Sequence, residues 1–273
     1  MLNTALAGSA VLTFALGAWL THPVLHLLEQ GGLVRENYRM QVIPTGAGLL
    51  LPLAVTPSAL LLFVAAPSEP LVPLLSAELV LLNGMALLGL LDDSAGGSAT
   101  RGLVGHLRFL WRGELTTGGV KALYGVCIAL LAVSMLPEPR LLARVIPTAV
   151  IALSANAVNL FDLRPGRALK VFFLAYVVLI LTTGSTGVLT LLVAVAALTI
   201  APRDFAGQAM MGDTGSNVLG SMLGLFVTTQ MSLHGQIWAL VLLVALHTYA
   251  EVFSINRLIE RVSVLTWLDS LGR

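Results

Sequence analysis

Nine long apolar runs follow one another along the chain, at about 2–27, 47–66, 71–91, 118–136, 141–160, 168–183, 186–201, 215–231 and 236–258. A helix needs roughly 20 apolar residues to cross a hydrocarbon core. Only helices and closed barrels satisfy every backbone N–H and C=O inside lipid, and these runs are continuous rather than alternating as barrel strands are. The pattern predicts an all-α fold: a polytopic membrane helical bundle with about nine transmembrane helices. Charged residues form only 11% of the chain, against about 25% in soluble domains, which excludes a soluble globular protein. The sixth and seventh runs are short and joined by Thr183-Gly184-Ser185-Thr186-Gly187, which predicts a tight helical hairpin. No linker separates the runs, so residues 1–273 read as a single domain. The first run lacks a basic leader and reads as a retained helix. The single cysteine, Cys127, excludes an intrachain disulfide and a cysteine-based zinc site.

Orientation follows from the basic residues in the short loops. With nine spans, thirteen of the fifteen Lys and Arg fall on one side and only Arg140 and Arg144 on the other. The rich side is read as cytoplasmic, with the N-terminus outside and the C-terminus cytoplasmic. On that same side lie Asp92 and Asp93 at the end of the third run, Asp162 at the end of the fifth and Asp213 at the start of the eighth. An Asp at the bilayer centre costs about 2.5–3.5 kcal/mol on insertion scales, and less toward the interface. Four carboxylates on one face at one depth suggest a shared site, because magnesium takes oxygen ligands and bridges carboxylates to phosphates.

Each motif also has a plainer reading. Asp92-Asp93 can be a solvated helix end, or a pair in which one carboxylate raises the pKa of the other and serves as a base. In MGDTGSN, Gly212, Gly215 and Ser216 flank Asp213 before an apolar run. Its helix amides would suit a phosphate, or Asp213 would simply cap the helix. Asn156, Asn159 and Asp162 stand at i, i+3 and i+6, roughly one helix face, suited to a polar site or to helix–helix hydrogen bonds. Arg164, Arg167 and Lys170 fit phosphates or anionic headgroups, and equally fit topology signals. Lys121 is placed to meet a diphosphate or to snorkel. Glu78 reads as interfacial. Glu251, beside His247 and Tyr249, reads as an intramembrane carboxylate with a functional or pairing role. The basic stretch from about 94 to 117, with His106, reads as a surface segment. The tail carries Leu265, Trp267, Leu268 and Leu271 at helical spacing and reads as an interfacial helix.

Four segments in order, IPTGAGL, GLLDD, NAVNLFD and MGDTGSNVLG, give the chain a resemblance to the polyprenyl-phosphate N-acetylhexosamine-1-phosphate transferases. That superfamily includes phospho-N-acetylmuramoyl-pentapeptide transferase and the polyprenyl-phosphate GlcNAc-1-phosphate transferases. The resemblance implies transfer of a sugar-1-phosphate from a nucleotide-diphosphate sugar, a UDP-sugar above all, to a polyprenyl phosphate with Mg2+, releasing UMP. It implies that Asp213 binds the metal, and that Asp92 and Asp93 hold or deprotonate the lipid phosphate or assist the metal. Asn159 and Asp162 would line the nucleotide-diphosphate pocket, with Asn156, Arg164, Arg167, Gly212 and Ser216 around the substrates and Lys121 on a phosphate. It further implies a bacterial cytoplasmic membrane protein, a homodimer and no nucleic-acid partner. The chain departs from the pattern at Pro165, where the family carries a second Asp, and no histidine follows Glu251. These departures leave a second reading open: a non-catalytic relative that binds polyprenyl phosphate or a protein partner. A transporter fits less well, because its carboxylates would lie near the midplane between paired repeats.

Overall fold

The computed structural model describes residues 2–37, 39–65, 67–68, 71–95, 117–137 and 142–271. Helix α1 (Leu2–Gln30) is followed by a hairpin of β1 (Val34–Glu36) and β2 (Val42–Pro44), then by a 3-10 turn, Ala47–Leu49, that opens α2 (Leu50–Ala65). The remaining helices are α3 (Leu71–Ala95), α4 (Thr117–Met135), α5 (Val145–Phe161), α6 (Arg167–Thr183), α7 (Val188–Phe205), α8 (Gly212–Gln230), α9 (Leu233–Val252), α10 (Ile255–Arg261) and α11 (Ser263–Ser270). Each of the nine apolar runs forms a helix. Six of these helices are long and apolar enough to cross a membrane: α1, α2 with its 3-10 turn, α3, α4, α7 and α9. The expected hairpin is present, with α6 ending on Gly184 and α7 starting after Gly187, both at positive φ. The all-α reading omitted the β1–β2 ribbon, whose strands are three residues each.

Of the other three, α5 and α6 are 17 residues each, and α8 is long enough but more polar. It is 19 residues long but carries Asp213, Thr214, Ser216, Asn217 and Ser221. Residues 214–227 are all buried, because α3, α5, α6 and α7 surround it. A helix enclosed by others need not be apolar all round. Its packing on α5 is close: a Cβ on Gly220 would lie 2.2 Å from the Ser154 carbonyl oxygen, and one on Gly224 2.7 Å from Ile151 Cα. Small residues spaced by four are the usual means by which membrane helices approach. The outermost helix, α9, has no buried residue.

Glu78 corrects its interfacial reading. It is 4% exposed, and its Oε1 accepts from the Leu189 N–H (3.3 Å) in the first turn of α7. The carboxylate meets amide donors that a helix start leaves unpaired, so its place was set by another helix rather than by solvent. The tail forms α10 and α11, with Leu265, Leu268 and Leu271 lining an apolar cavity of about 550 Å3 against α6 while Trp267 is exposed. Glu251 is exposed near the end of α9. The basic stretch at 96–116, with His106, and Arg140 lie outside the described residues.

Candidate cation and phosphate site

The first turn of a helix leaves its N–H groups without intrahelical partners and concentrates partial positive charge. At α8, carboxylates from three other helices meet those groups. Asp204, the penultimate residue of α7, accepts from Met211 N–H (3.2 Å). Asp162, capping the end of α5, accepts from Gly212 N–H. Asp93, in the last turn of α3, accepts from Asp213 N–H at Oδ1 (3.1 Å), and at Oδ2 from Thr214 N–H (3.0 Å) and the Thr214 hydroxyl (2.7 Å). The chain reaches this arrangement through Gly212 at φ 66°, where a Cβ would fall 2.5 Å from Asp93 Oδ2. The segment after β2 is stitched to the same turn: Ala47 and Gly48 N–H donate to the Met210 and Met211 carbonyls (both 3.0 Å), and Met210 N–H donates to Pro44 (2.9 Å).

Beside this buried layer lies a more accessible one. Lys121, near the start of α4, pairs with Asp213 and lies 3.5 Å from Asp92 Oδ2. Asp92 and Asp213 also contact each other. The Asn159 amide satisfies every neighbour when its nitrogen faces Ser216 Oγ (2.8 Å) and Asp213 Oδ1 (2.9 Å), which sets its oxygen 2.8 Å from Lys121 Nζ. Exposure separates the layers: the side chains of Lys121, Asp92 and Asp213 keep 14%, 23% and 25%, whereas Asp93 and Ser216 are buried. Asp162 is half-buried, with its Oδ1 enclosed and without a partner. Burial, then the carboxylates of Asp204, Asp213 and Asp93, push its pKa well above the usual carboxylate range, against the pull of the Gly212 N–H.

The structure therefore gathers Asp92, Asp93, Lys121, Asn159, Asp162, Gly212, Asp213 and Ser216, in a buried and a more accessible layer. Three expectations need correction. The α8 amides are filled by Asp162 and Asp93, so Gly212 and its neighbours do not present free N–H groups to a phosphate. Asp93 has both oxygens engaged by α8, which makes it a positioning group for Asp213 rather than an open ligand. Arg164 and Arg167 are held by the C-terminal segment. Arg164 meets Glu260 (3.2 Å), and Arg167, 3% exposed, makes a two-pronged pair with Asp269 (2.6 and 3.0 Å) and bonds Asn256. Their basic charge found acids that the linear sequence places about a hundred residues away. Asn156 is exposed on α5 and takes no part in the hydrogen-bonded cluster.

Asp204 was not foreseen. It is fully buried and also accepts from Gly166 N–H (2.8 Å), so it ties the turn after Asp162 to the start of α8. The available signal was a carboxylate at the end of an apolar run on the same face as the other four.

Asp92 and Asp213 offer two carboxylates, and Asn159 an amide oxygen. That set suits magnesium, which binds through one or two carboxylates and completes its octahedron with water and substrate phosphates. Among the described residues no group of three or more His, Cys, Asp and Glu is arranged to hold a metal by itself. The chain matches no family model, and comparison with curated proteins finds no match.

Proposed function

We propose that the chain is a membrane phosphoglycosyl transferase, moving a sugar-1-phosphate from a nucleotide-diphosphate sugar to a polyprenyl phosphate at the cytoplasmic face. One observation carries the reading: two accessible carboxylates from different helices, Asp92 and Asp213, flank a single cation beside Asn159. Helices α1–α9 would cross the membrane, with the N-terminus outside. The thirteen-to-two distribution of basic residues supports that orientation. The contacts of α10 and α11 with the α5–α6 turn support it too, since they put the C-terminal segment on the side of Asp162.

Phosphoryl transfer needs positioning and charge neutralisation more than covalent help from the protein. A magnesium ion held by Asp92 and Asp213 would supply Lewis-acid neutralisation of phosphate charge. Asn159 would fix the Asp213 carboxylate through its amide nitrogen. Asp93 would fix the Asp213 backbone from behind. Lys121 Nζ would donate to a phosphate oxygen. Asp92 Oδ1 would accept the proton of the lipid phosphate, because Oδ2 is turned to the cation seat and the α8 amides are taken by Asp93 rather than Asp92. Pro165 is buried in the α5–α6 turn and cannot supply the hydrogen bonds of an Asp, so the base of the donor would be read by other groups.

The test incubates purified chain with magnesium, undecaprenyl phosphate and a panel of nucleotide sugars. A lipid-linked product, and exchange of labelled UMP into one donor, are expected, both lost in Asp213→Asn. No product and no exchange with any donor would sink the reading. The second reading, a non-catalytic binder of polyprenyl phosphate or of a protein partner, is favoured by the internal pairing of Arg164 and Arg167. It predicts magnesium-independent lipid binding that is unchanged in Asp213→Asn.

A further inference from the structure

We infer that the Lys121 ammonium is a built-in placeholder: it occupies the seat of a divalent cation and must leave when that cation binds. The inference rests on the proposed use of Asp92 and Asp213 with magnesium. Lys121 reaches from α4 into oxygens contributed by three other helices: Asp213 of α8, Asp92 Oδ2 of α3 at 3.5 Å, and the Asn159 amide oxygen of α5 at 2.8 Å. An ammonium has three donors and no acceptor, so these three oxygens match its capacity. They are also the oxygens that suit a hard divalent ion.

Both cations cannot share the seat. Magnesium holds its oxygens at about 2.0–2.1 Å, whereas an N–H donor stands at about 2.7–3.2 Å, and the two would meet as unscreened like charges. Without a cation, Asp92 and Asp213 in mutual contact would repel each other. The amine therefore keeps the ligand set assembled while no metal is bound. Lys121 is suited to leave, being a flexible four-carbon stem near the start of its helix with 14% of its side chain exposed. Once displaced it needs an anion, and the phosphate arriving with the metal supplies one. Binding of the metal and of the phosphate is thereby coupled through one side chain, each favouring the other by reciprocity.

Two measurements on the full chain in detergent test this. The first is manganese affinity, read from free Mn2+ by electron paramagnetic resonance, for the unaltered chain, Lys121→Met and Asp213→Asn. If the amine holds the seat nine-tenths of the time or more, Lys121→Met raises affinity by about tenfold or more, while Asp213→Asn abolishes binding. The second measurement needs no substitution at Lys121: a structure with manganese located by anomalous scattering. The expected result is a peak on Asp92 and Asp213 with Nζ withdrawn from both. Unchanged affinity in Lys121→Met, or a metal bound elsewhere with Nζ still on Asp213, would overturn the placeholder and leave the transferase reading standing. No manganese binding by either the unaltered chain or Lys121→Met would overturn both.

Discussion

Adjacent residues Asp92 and Asp93 should fail in different ways when replaced. Asp93 takes three donors inside the bundle, at 2.7, 3.0 and 3.1 Å. Hydrogen bonds to a charged group contribute about 1.5–3 kcal/mol each, and a buried donor left unpaired costs about 1–3 kcal/mol. Non-additivity among three donors to one carboxylate keeps the total for Asp93→Ala near the 3–5 kcal/mol of a broken buried pair. At about 2–4 °C per kcal/mol for a chain approaching this size, the midpoint of thermal unfolding falls by roughly 6–20 °C. Asp92 faces the accessible layer, beside Lys121 with 23% of its side chain exposed, so Asp92→Ala should lower the midpoint by less than Asp93→Ala while impairing manganese binding. Thr214→Val removes only the hydroxyl donor and should cost about 1 kcal/mol. The assay is intrinsic-fluorescence melting in one detergent, with manganese affinity measured on the same preparations. If Asp92→Ala and Asp93→Ala melt alike, or Asp93→Ala melts with the unaltered chain, the assignment of Asp93 to α8 is wrong.

Gly212→Ala puts a Cβ 2.5 Å from Asp93 Oδ2 and 2.7 Å from Gly46 N at a positive φ, and should yield no folded chain by size-exclusion chromatography. Arg167→Met removes the two-pronged partner of Asp269 and should cost up to about 3–5 kcal/mol; limited proteolysis should then cut between α9 and α11 far faster, and Arg167→Met with Asp269→Leu should restore much of the protection. Asp162 has a folded-state pKa raised above the unfolded 3.8, so the folded chain holds the proton more tightly. Its contribution to stability is present below about pH 4 and is lost as pH rises through the folded pKa. Asp162→Asn should flatten that decline in pH-dependent unfolding, and an unchanged slope would show that another group causes it. Magnesium or manganese affinity should rise with pH, because deprotonated carboxylates bind the ion.

The helices were legible because an apolar run in lipid has one way to satisfy its backbone. The convergence of Asp92, Asp93, Asp162 and Asp213 was legible because alternate spans return to the same face. What each carboxylate does there was not, since it depends on partners distant in sequence. Nothing local distinguishes Asp93 from Asp92; the difference is that one accepts from the opening amides of α8 while the other meets the Asp213 side chain and Lys121. Arg164 and Arg167 looked like anion ligands because their acids, Glu260 and Asp269, come about a hundred residues later. Asp204 stood beside Arg203 as an ordinary charged end of a run, and its partners Gly166 and Met211 are backbone donors that carry no side-chain signature. The β1–β2 ribbon is too short for a period-two pattern to register.

The enclosure of α8 also bears on how the chain is made. A helix that opens with Asp213, Thr214, Ser216 and Asn217 is poorly suited to lipid over its first turns, and its opening amides need carboxylates. Asp93, Asp162 and Asp204 all precede it in the sequence. When α8 emerges during synthesis, the groups that complete it already exist, and it can enter a prepared slot rather than wait exposed. Cutting the chain just before Gly212 would leave the carboxylates of Asp93, Asp162 and Asp204 facing an empty groove, whereas cutting after Gln230 would remove α9 to α11 and leave that groove filled. The order of segments along the chain thus lets the polar centre be added after its walls.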